Sequence, residues 1–187
     1  MAKKLYVQDD DRAAGRVLTT LVEIALVAVL GLFLAKYVFF SIDTESKSME
    51  PGIRQNSVVF INKLSYIFRE PGRFDVVAFT RRGSAQATTI LVRRIVGLPG
   101  ETVRIEKGTV YIDGEPLDVS PWISEITSDG IASEDIHLGP DEYFVLGNTP
   151  ANSEDSRSST IGAVTRSRIL GKAWLDAISL TEFYRIR

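Results

Sequence analysis

Thr102-Val103-Arg104-Ile105-Glu106-Lys107-Gly108-Thr109-Val110-Tyr111-Ile112 decides the fold. Two short runs rich in β-branched residues flank Glu106-Lys107-Gly108-Thr109, a hairpin turn signal, and a second such signal, Asp113-Gly114-Glu115, follows at once. A meander of antiparallel strands is predicted here. Outward in both directions the texture repeats, with Val, Ile, Phe and Tyr in short runs separated by Gly, Pro, Asn and Asp. Strands are predicted over residues 57–62, 75–80, 89–96, 102–106, 109–112, 142–146 and 169–175. Residues 41–187 therefore read as one mainly β, antiparallel domain. Helical potential is limited to a turn over 64–68 and another after Ser153. Residues 119–140, where Ser, Gly, Pro and acidic residues alternate, are expected to form a long surface connection rather than core.

Residues 17–40 have a different character. Only Thr19, Thr20, Glu23 and Lys36 interrupt the apolar run, and its centre over 24–35 is unbroken. About 20 apolar residues cover a hydrocarbon core of roughly 30 Å, with Glu23 and Lys36 near the ends where they can reach the interface. Tyr37, Phe39 and Phe40 suit an interfacial aromatic belt. Lys3, Lys4, Arg12 and Arg16 precede the run, so residues 1–16 are expected to be a short cytoplasmic tail and everything after Phe40 extracytoplasmic. Asp9, Asp10 and Asp11 count for little in that rule. The alternatives are a cleaved secretory signal and a buried core helix. The run is longer than a signal-peptide apolar region, and no small-x-small cleavage site follows before Ile42-Asp43. The expectation is a single-pass cell-membrane protein whose first partner is the lipid bilayer.

The chain has 187 residues, 25% charged and 44% hydrophobic, enough for one globular domain and an anchor. A net charge of −2 with scattered Arg and Lys supplies no basic field for nucleic acid. The absence of cysteine excludes disulfides, thiolate zinc sites and a cysteine nucleophile, and the single histidine, His137, excludes a multi-histidine metal centre. Neither cofactor nor metal is expected.

Three constellations carry chemistry. Ser48-Met49-Glu50-Pro51 begins eight residues beyond Phe40, so at about 3.5 Å per residue the Ser48 hydroxyl lies within roughly 28 Å of the bilayer edge. Pro51 restricts Glu50 to extended backbone and leaves the serine on a defined turn. Alone, this serine reads as a solvated linker residue. Arg93-Arg94-Ile95-Val96-Gly97-Leu98-Pro99-Gly100-Glu101 ends a strand in a sharp turn. Strand neighbours point to opposite faces, so only one of the two arginines can look into a given cleft. Alone, both read as surface charges on an edge strand. Gly147-Asn148-Thr149-Pro150-Ala151-Asn152-Ser153-Glu154-Asp155-Ser156-Arg157 takes a strand into a polar loop. There Asp155 and Arg157 can form a charge-assisted bond, with each other or with neighbours, while Ser153 projects a hydroxyl. Alone, this is an ordinary Asx/Ser turn.

In this order, after one anchor, the three segments resemble bacterial type I signal peptidase, the membrane-bound serine peptidase that removes signal peptides from exported proteins. The resemblance covers nearly the whole chain. The family's pattern is a Ser-Met-x-Pro box, a Lys-Arg-x-x-Gly-x-Pro-Gly-Asp box and a Gly-Asp-Asn-x-x-x-Ser-x-Asp-Ser-Arg box. It implies Ser48 as nucleophile, Ser46 as an oxyanion donor beside the Ser48 backbone N–H, Ser153 orienting the base, and Asp155 and Arg157 bracing the site. It also implies Met49, Ile53, Leu91 and Val92 as shallow walls for small side chains, and preproteins bearing signal peptides as substrates. The chain departs from the pattern with Arg93 where the lysine base belongs, Glu101 for the closing aspartate, and Asn148-Thr149 for Asp-Asn.

Arg93 changes the chemistry. Burial can lower a lysine from about 10.4 toward neutrality so that it takes the serine's proton. An arginine starts at about 12.5 to 13.8, and bringing it to neutrality costs about 7 to 9 kcal/mol, comparable with the stability of a whole domain. Left charged, it has five donors and no acceptor, so it can bind a hydroxyl or an oxyanion but cannot deprotonate one. His137 lies ahead of a different strand, Lys47 points away from Ser48 in an extended chain, and Lys63 reads as a surface charge. Two functions follow from the sequence: a signal peptidase of reduced activity, or a catalytically impaired binding and assembly factor of the same fold, with pilin or secretion-machinery partners. A self-cleaving repressor shares the Ser/Lys chemistry, but the span and the acidic charge count against it.

Overall fold

The structure, a computed structural model, describes residues 2–37, 39–44, 47–81, 89–179 and 182–186. It divides into two units, Met1–Phe39 and Phe40–Arg187.

The first unit is one helix, α1 (Ala2–Tyr37). Its segment Gly15–Phe33 is 19 residues long and apolar enough to cross a membrane. Val17, Leu18, Leu21, Val27, Leu30 and Leu32 are all exposed, as befits a helix that is apolar around its circumference and is solvated by lipid. The expected tail over 1–16 and the anchor form one continuous helix from Ala2. The expected span to Phe40 stops earlier, because Phe39 and Phe40 already belong to a strand.

The second unit carries twelve strands among its described residues: β1 (Phe39–Thr44), β2 (Ser57–Asn62), β3 (Val76–Thr80), β4 (Ile90–Gly97), β5 (Thr102–Glu106), β6 (Thr109–Ile112), β7 (Glu115–Leu117), β8 (Ile136–His137), β9 (Glu142–Leu146), β10 (Val164–Thr165), β11 (Ile169–Ser179) and β12 (Glu182–Arg185). The larger sheet runs β1-β2-β11-β3-β4-β9-β10. β11 is its spine. Lys172 pairs with both Asn62 of β2 and Val77 of β3, and farther along Leu175 pairs with both Phe60 of β2 and Arg185 of β12. β3 and β12 thus share one edge of β11 and β2 holds the other. The smaller sheet, β7-β6-β5-β8, contains the meander read from the sequence.

Alternation along the strands sorts side chains between two faces of the larger sheet. Met49, Ile53, Val59, Ile61, Val76, Ala78, Val92 and Ala173 form one core cluster. Tyr66, Val77, Phe79, Ile95, Tyr143, Val145 and Ile169 form another, with Leu91 packed against it. The two sheets meet at Gly97, where a β-carbon would stand 2.6 Å from Val103 Cγ2 and 2.9 Å from both Leu138 Cδ1 and Phe144 Cβ. Only a residue without a side chain admits that approach.

One expectation is overturned. Residues 119–140 are not an outer connection: Ile123, Ile126, Ala132 and Leu138 are buried in the core beneath the smaller sheet. These isolated apolar residues pack there with Val96, Phe144 and Leu146 of the larger sheet. The helical turn expected after Ser153 comes before it, as a 3-10 turn over Pro150–Asn152, and the turn expected over 64–68 forms over Lys63–Tyr66.

Candidate active site

Ser48 and Met49 sit in a single 3-10 turn, Lys47–Met49, and both side chains are buried. Three successive carbonyls stitch this turn to the loop after β9. Ser48 O accepts from Thr149 N at 2.9 Å, Met49 O from Asn148 Nδ2 at 3.2 Å, and Glu50 O from Thr149 Oγ1 at 2.9 Å. Segments about a hundred residues apart in sequence are thereby held in register.

Gly147 marks the closest approach. A β-carbon there would lie 2.2 Å from Ser153 Oγ and 2.8 Å from Ser48 O, so the serine turn and Ser153 crowd one point of backbone. Ser153 Oγ is buried and has no hydrogen-bond partner. An unpaired buried hydroxyl is unfavourable, and it suits a group that acts on an incoming ligand or base.

The bond expected between Asp155 and Arg157 forms, and it organises the loop. Asp155 Oδ1 accepts from Arg157 Nε at 2.9 Å and from Arg157 N at 3.2 Å, while Oδ2 accepts from Gly147 N at 3.1 Å and from Arg157 Nη2 at 3.0 Å. Arg157 also donates to Pro150 O at 2.7 Å and to Ser128 O at 2.9 Å. Buried charges are tolerated when paired and saturated in this manner. The 119–140 segment supports the loop from behind, since Ser124 N donates to Asn148 O at 2.8 Å and Ile131 N to Arg157 O at 2.9 Å.

Neither arginine of β4 is a surface charge: Arg93 is 4% exposed and Arg94 1%. They leave opposite faces, as the strand requires, yet both reach the same loop. Arg93 Nε donates to Glu154 O at 3.0 Å and its Nη1 to Val92 O at 2.6 Å. Arg94 Nε donates to Asn148 Oδ1 at 3.0 Å and its Nη1 to Phe74 O at 2.9 Å, with the guanidinium 5.8 Å over the Trp122 ring. Burial pulls the Arg93 guanidinium down to about 10, against the opposing charges of Asp155 and Glu154. Burial does the same to Arg94, also to about 10, against Asp75. Both stay charged at neutral pH. Glu101 closes the turn after β4, accepting from Leu98 N at 2.8 Å and from Arg73 at 2.5 Å.

The structure thus gathers Ser48, Met49, Arg93, Ser153, Asp155 and Arg157 around one loop. Met49, Ile53 and Val92 share a core cluster, whereas Leu91 packs against the cluster of the opposite face. Ser46 lies outside the described residues. The other basic groups are engaged elsewhere. His137 is on the smaller sheet with its Nδ1 2.9 Å from Thr102 Oγ1, Lys63 Nζ is over the Phe40 ring at 4.9 Å, Lys172 pairs with Asp75, and Lys47 is exposed. Asn148, Thr149 and Arg94 received no role from the sequence. The signal for them was present in the Gly147-Asn148-Thr149 triplet, but it gains meaning only once the serine turn is seen to lie against it.

The family described as signal peptidase, peptidase S26, matches residues 17–177, and the chain belongs to it. A probable signal peptidase I-2 from Synechocystis sp. (strain ATCC 27184 / PCC 6803 / Kazusa) is 36% identical over 138 residues, which span 70% of this chain and 59% of the Synechocystis protein. Signal peptidase I from Leptolyngbya laminosa is 32% identical, with 80% of this chain and 74% of that protein aligned. A crystal structure of a signal peptidase I from Enterococcus faecalis V583 is 29% identical, covering 56% of this chain and 97% of that one with a TM-score of 0.43.

Proposed function

We propose that this protein is a membrane-anchored serine endopeptidase of the signal peptidase I type, with signal-peptide-bearing preproteins as its substrates and its β domain on the extracytoplasmic side. The single observation that carries this reading is the convergence of the Ser48 turn, Gly147 and Ser153 at one point, with Asp155 and Arg157 locking the loop behind them. Ser48 Oγ attacks the carbonyl carbon before the scissile bond, and its proton must leave as the new C–O bond forms. The C–N bond then breaks, the amine of the mature protein departs with a proton, and water hydrolyses the remaining acyl-enzyme to release the signal peptide and restore the Ser48 hydroxyl. Ser46 and the backbone N–H of Ser48 are assigned to the oxyanion, Ser153 to orientation at the base position, and Met49, Ile53 and Val92, which share one core cluster, to the walls around small side chains.

Arg93 limits the rate. As a cation it stabilises negative charge near the site but accepts no proton, so the chain lacks the positioned base whose loss typically lowers rates about 10² to 10⁴-fold. The same observation favours a second reading, in which the domain binds extended peptide ends, including those of pilin subunits, without turning them over. The test is incubation of the full chain in detergent or lipid with a preprotein, beside Ser48→Ala and Arg93→Lys. The peptidase reading expects slow cleavage by the natural chain, a large gain in Arg93→Lys and none in Ser48→Ala. Cleavage that survives in Ser48→Ala would overturn the nucleophile assignment, and saturable binding with no cleavage in Arg93→Lys would leave the binding factor.

A further inference from the structure

The loop after β9 is short of negative charge. Glu154 and Asp155 are its carboxylates, and three guanidinium groups stand around them. Arg81 pairs with Glu154 at 2.8 Å and Arg157 with Asp155 at 2.9 Å, whereas Arg93 has no carboxylate within ion-pair distance among the described residues. Both hydrogen bonds of Arg93 go to neutral carbonyls, Glu154 O from Nε and Val92 O from Nη1, and its Nη2 donates to none of the described residues. A cation that is 4% exposed is thus left without a counter-ion. Beside Glu154, the buried Ser153 Oγ has no hydrogen-bond partner. One group that is negatively charged and has two acceptor oxygens satisfies both needs.

We propose that Arg93 and Ser153 together hold the free C-terminal carboxylate of an extended peptide, so that the cleft retains chains that end at this point and discriminates against chains that continue through it. The inference rests on the reading that the Ser48 cleft admits an extended peptide with a small residue at its end. Ser48 O and Ser153 Oγ crowd the same point at Gly147, so the carbon that an ester to Ser48 would release as a carboxylate is set free beside Ser153. A chain that continues past this point presents only a neutral carbonyl there. A base that is neutral while it works offers a departing carboxylate no opposite charge, whereas a guanidinium that stays charged presents a planar fork that matches it. Arginine at position 93 therefore turns a site of release into a site of retention. The cut end of the peptide is an inhibitor of any turnover the natural chain performs, and a ligand in its own right where turnover is absent.

The test is the affinity of the full chain, in detergent micelles at neutral pH, for a short fluorescein-labelled peptide ending in Ala-Leu-Ala, supplied as the free acid and as the C-terminal amide. Anisotropy titration is expected to show the acid binding about tenfold more tightly or better, as a charge-assisted fork to a desolvated cation requires. This comparison needs no substitution. Arg93→Met is expected to bring the acid down to the affinity of the amide while leaving the amide unchanged, and Ser153→Ala to weaken the acid several-fold and the amide hardly at all. Arg69→Gln, which removes an exposed cation of the turn between β2 and β3, is expected to leave the preference intact. Equal affinity for acid and amide in the natural chain would overturn the inference. So would a preference that survives in Arg93→Met, or one that disappears in Arg69→Gln, because the anion would then be held by the surface. Failure of both peptides to bind would also overturn it, and preprotein cleavage by Arg93→Lys would then decide whether the peptidase reading falls with it.

Discussion

Arg93 and Arg94 are neighbours on one strand, project from opposite faces of the sheet, and grip the same loop at its two ends, one through Glu154 O and the other through Asn148 Oδ1, each at 3.0 Å. The loop that carries Ser153 and Asp155 is therefore clamped across the thickness of the sheet. The clamp uses two buried cations, and their positions are adjacent because the loop itself wraps from one face to the other.

The first prediction concerns pH. Burial lowers the Arg93 guanidinium to about 10, so it is a cation through the neutral range and offers no proton acceptor there. Residual cleavage by the natural chain should be slow and nearly flat from pH 6 to 8, should rise only at the alkaline end, and should vanish in Ser48→Ala at every pH. In Arg93→Lys, burial lowers a group that starts lower, so the rising limb should move toward neutrality and the rate at pH 7 to 8 should gain about 10² to 10⁴-fold. Initial rates on one preprotein across pH 6 to 10 decide this.

Asn148 faces two masters, accepting from Arg94 and donating to Met49 O. Asn148→Ala removes both bonds inside the core and should lower stability by about 2 to 4 kcal/mol, read as a shift in denaturant midpoint at constant slope. Asn148→Asp regains a charged acceptor for Arg94 but cannot donate to Met49 O. It should be nearly as stable as the natural chain, with the serine turn less protected from hydrogen exchange at Thr149.

At Gly147, substitution by alanine forces a methyl against Ser153 and the Ser48 carbonyl. A loss of about 1 to 3 kcal/mol is expected from overpacking. In an Arg93→Lys background, cleavage should fall far more than stability does, because the displaced groups are those the proposed reaction uses. A variant equally damaged in both would point to simple misfolding.

Breaking the internal ion pair should be severe. Asp155→Ala leaves Arg157 buried without its carboxylate and releases Gly147 N, a change expected to cost about 3 to 5 kcal/mol. Arg157→Lys keeps the charge but loses the forked geometry that also holds Pro150 O and Ser128 O, and should recover only part of that loss. Equilibrium unfolding of both variants, monitored by tryptophan fluorescence, measures the difference.

Much of this was legible beforehand. Strands β2, β5, β6 and β9 lie where residue type and turn chemistry put them, since a hairpin such as 102–112 is specified by its own residues. β1 was absorbed into the apolar run because Phe39 and Phe40 extend it, and hydrophobicity without periodicity does not separate the end of a helix from the start of a strand. β8 and β10 are two residues each and exist only through their partners. In the site, the Asp155–Arg157 bond was readable because its partners are two residues apart. The grip of Asn148 on the serine turn was not, because its acceptor is a backbone carbonyl 99 residues away and leaves no mark on residue identity.

The segment over 119–140 has the composition of a dispensable surface stretch, where tags, insertions and protease nicks are usually harmless. Its ties to Asn148 and Arg157 make it a rear strut of the reactive loop. Cutting this strut, far from Ser48 along the chain, would release the Ser153 loop while leaving the larger sheet standing, so an engineer seeking a remote off-switch for the proposed activity would place it between Ser124 and Ile131.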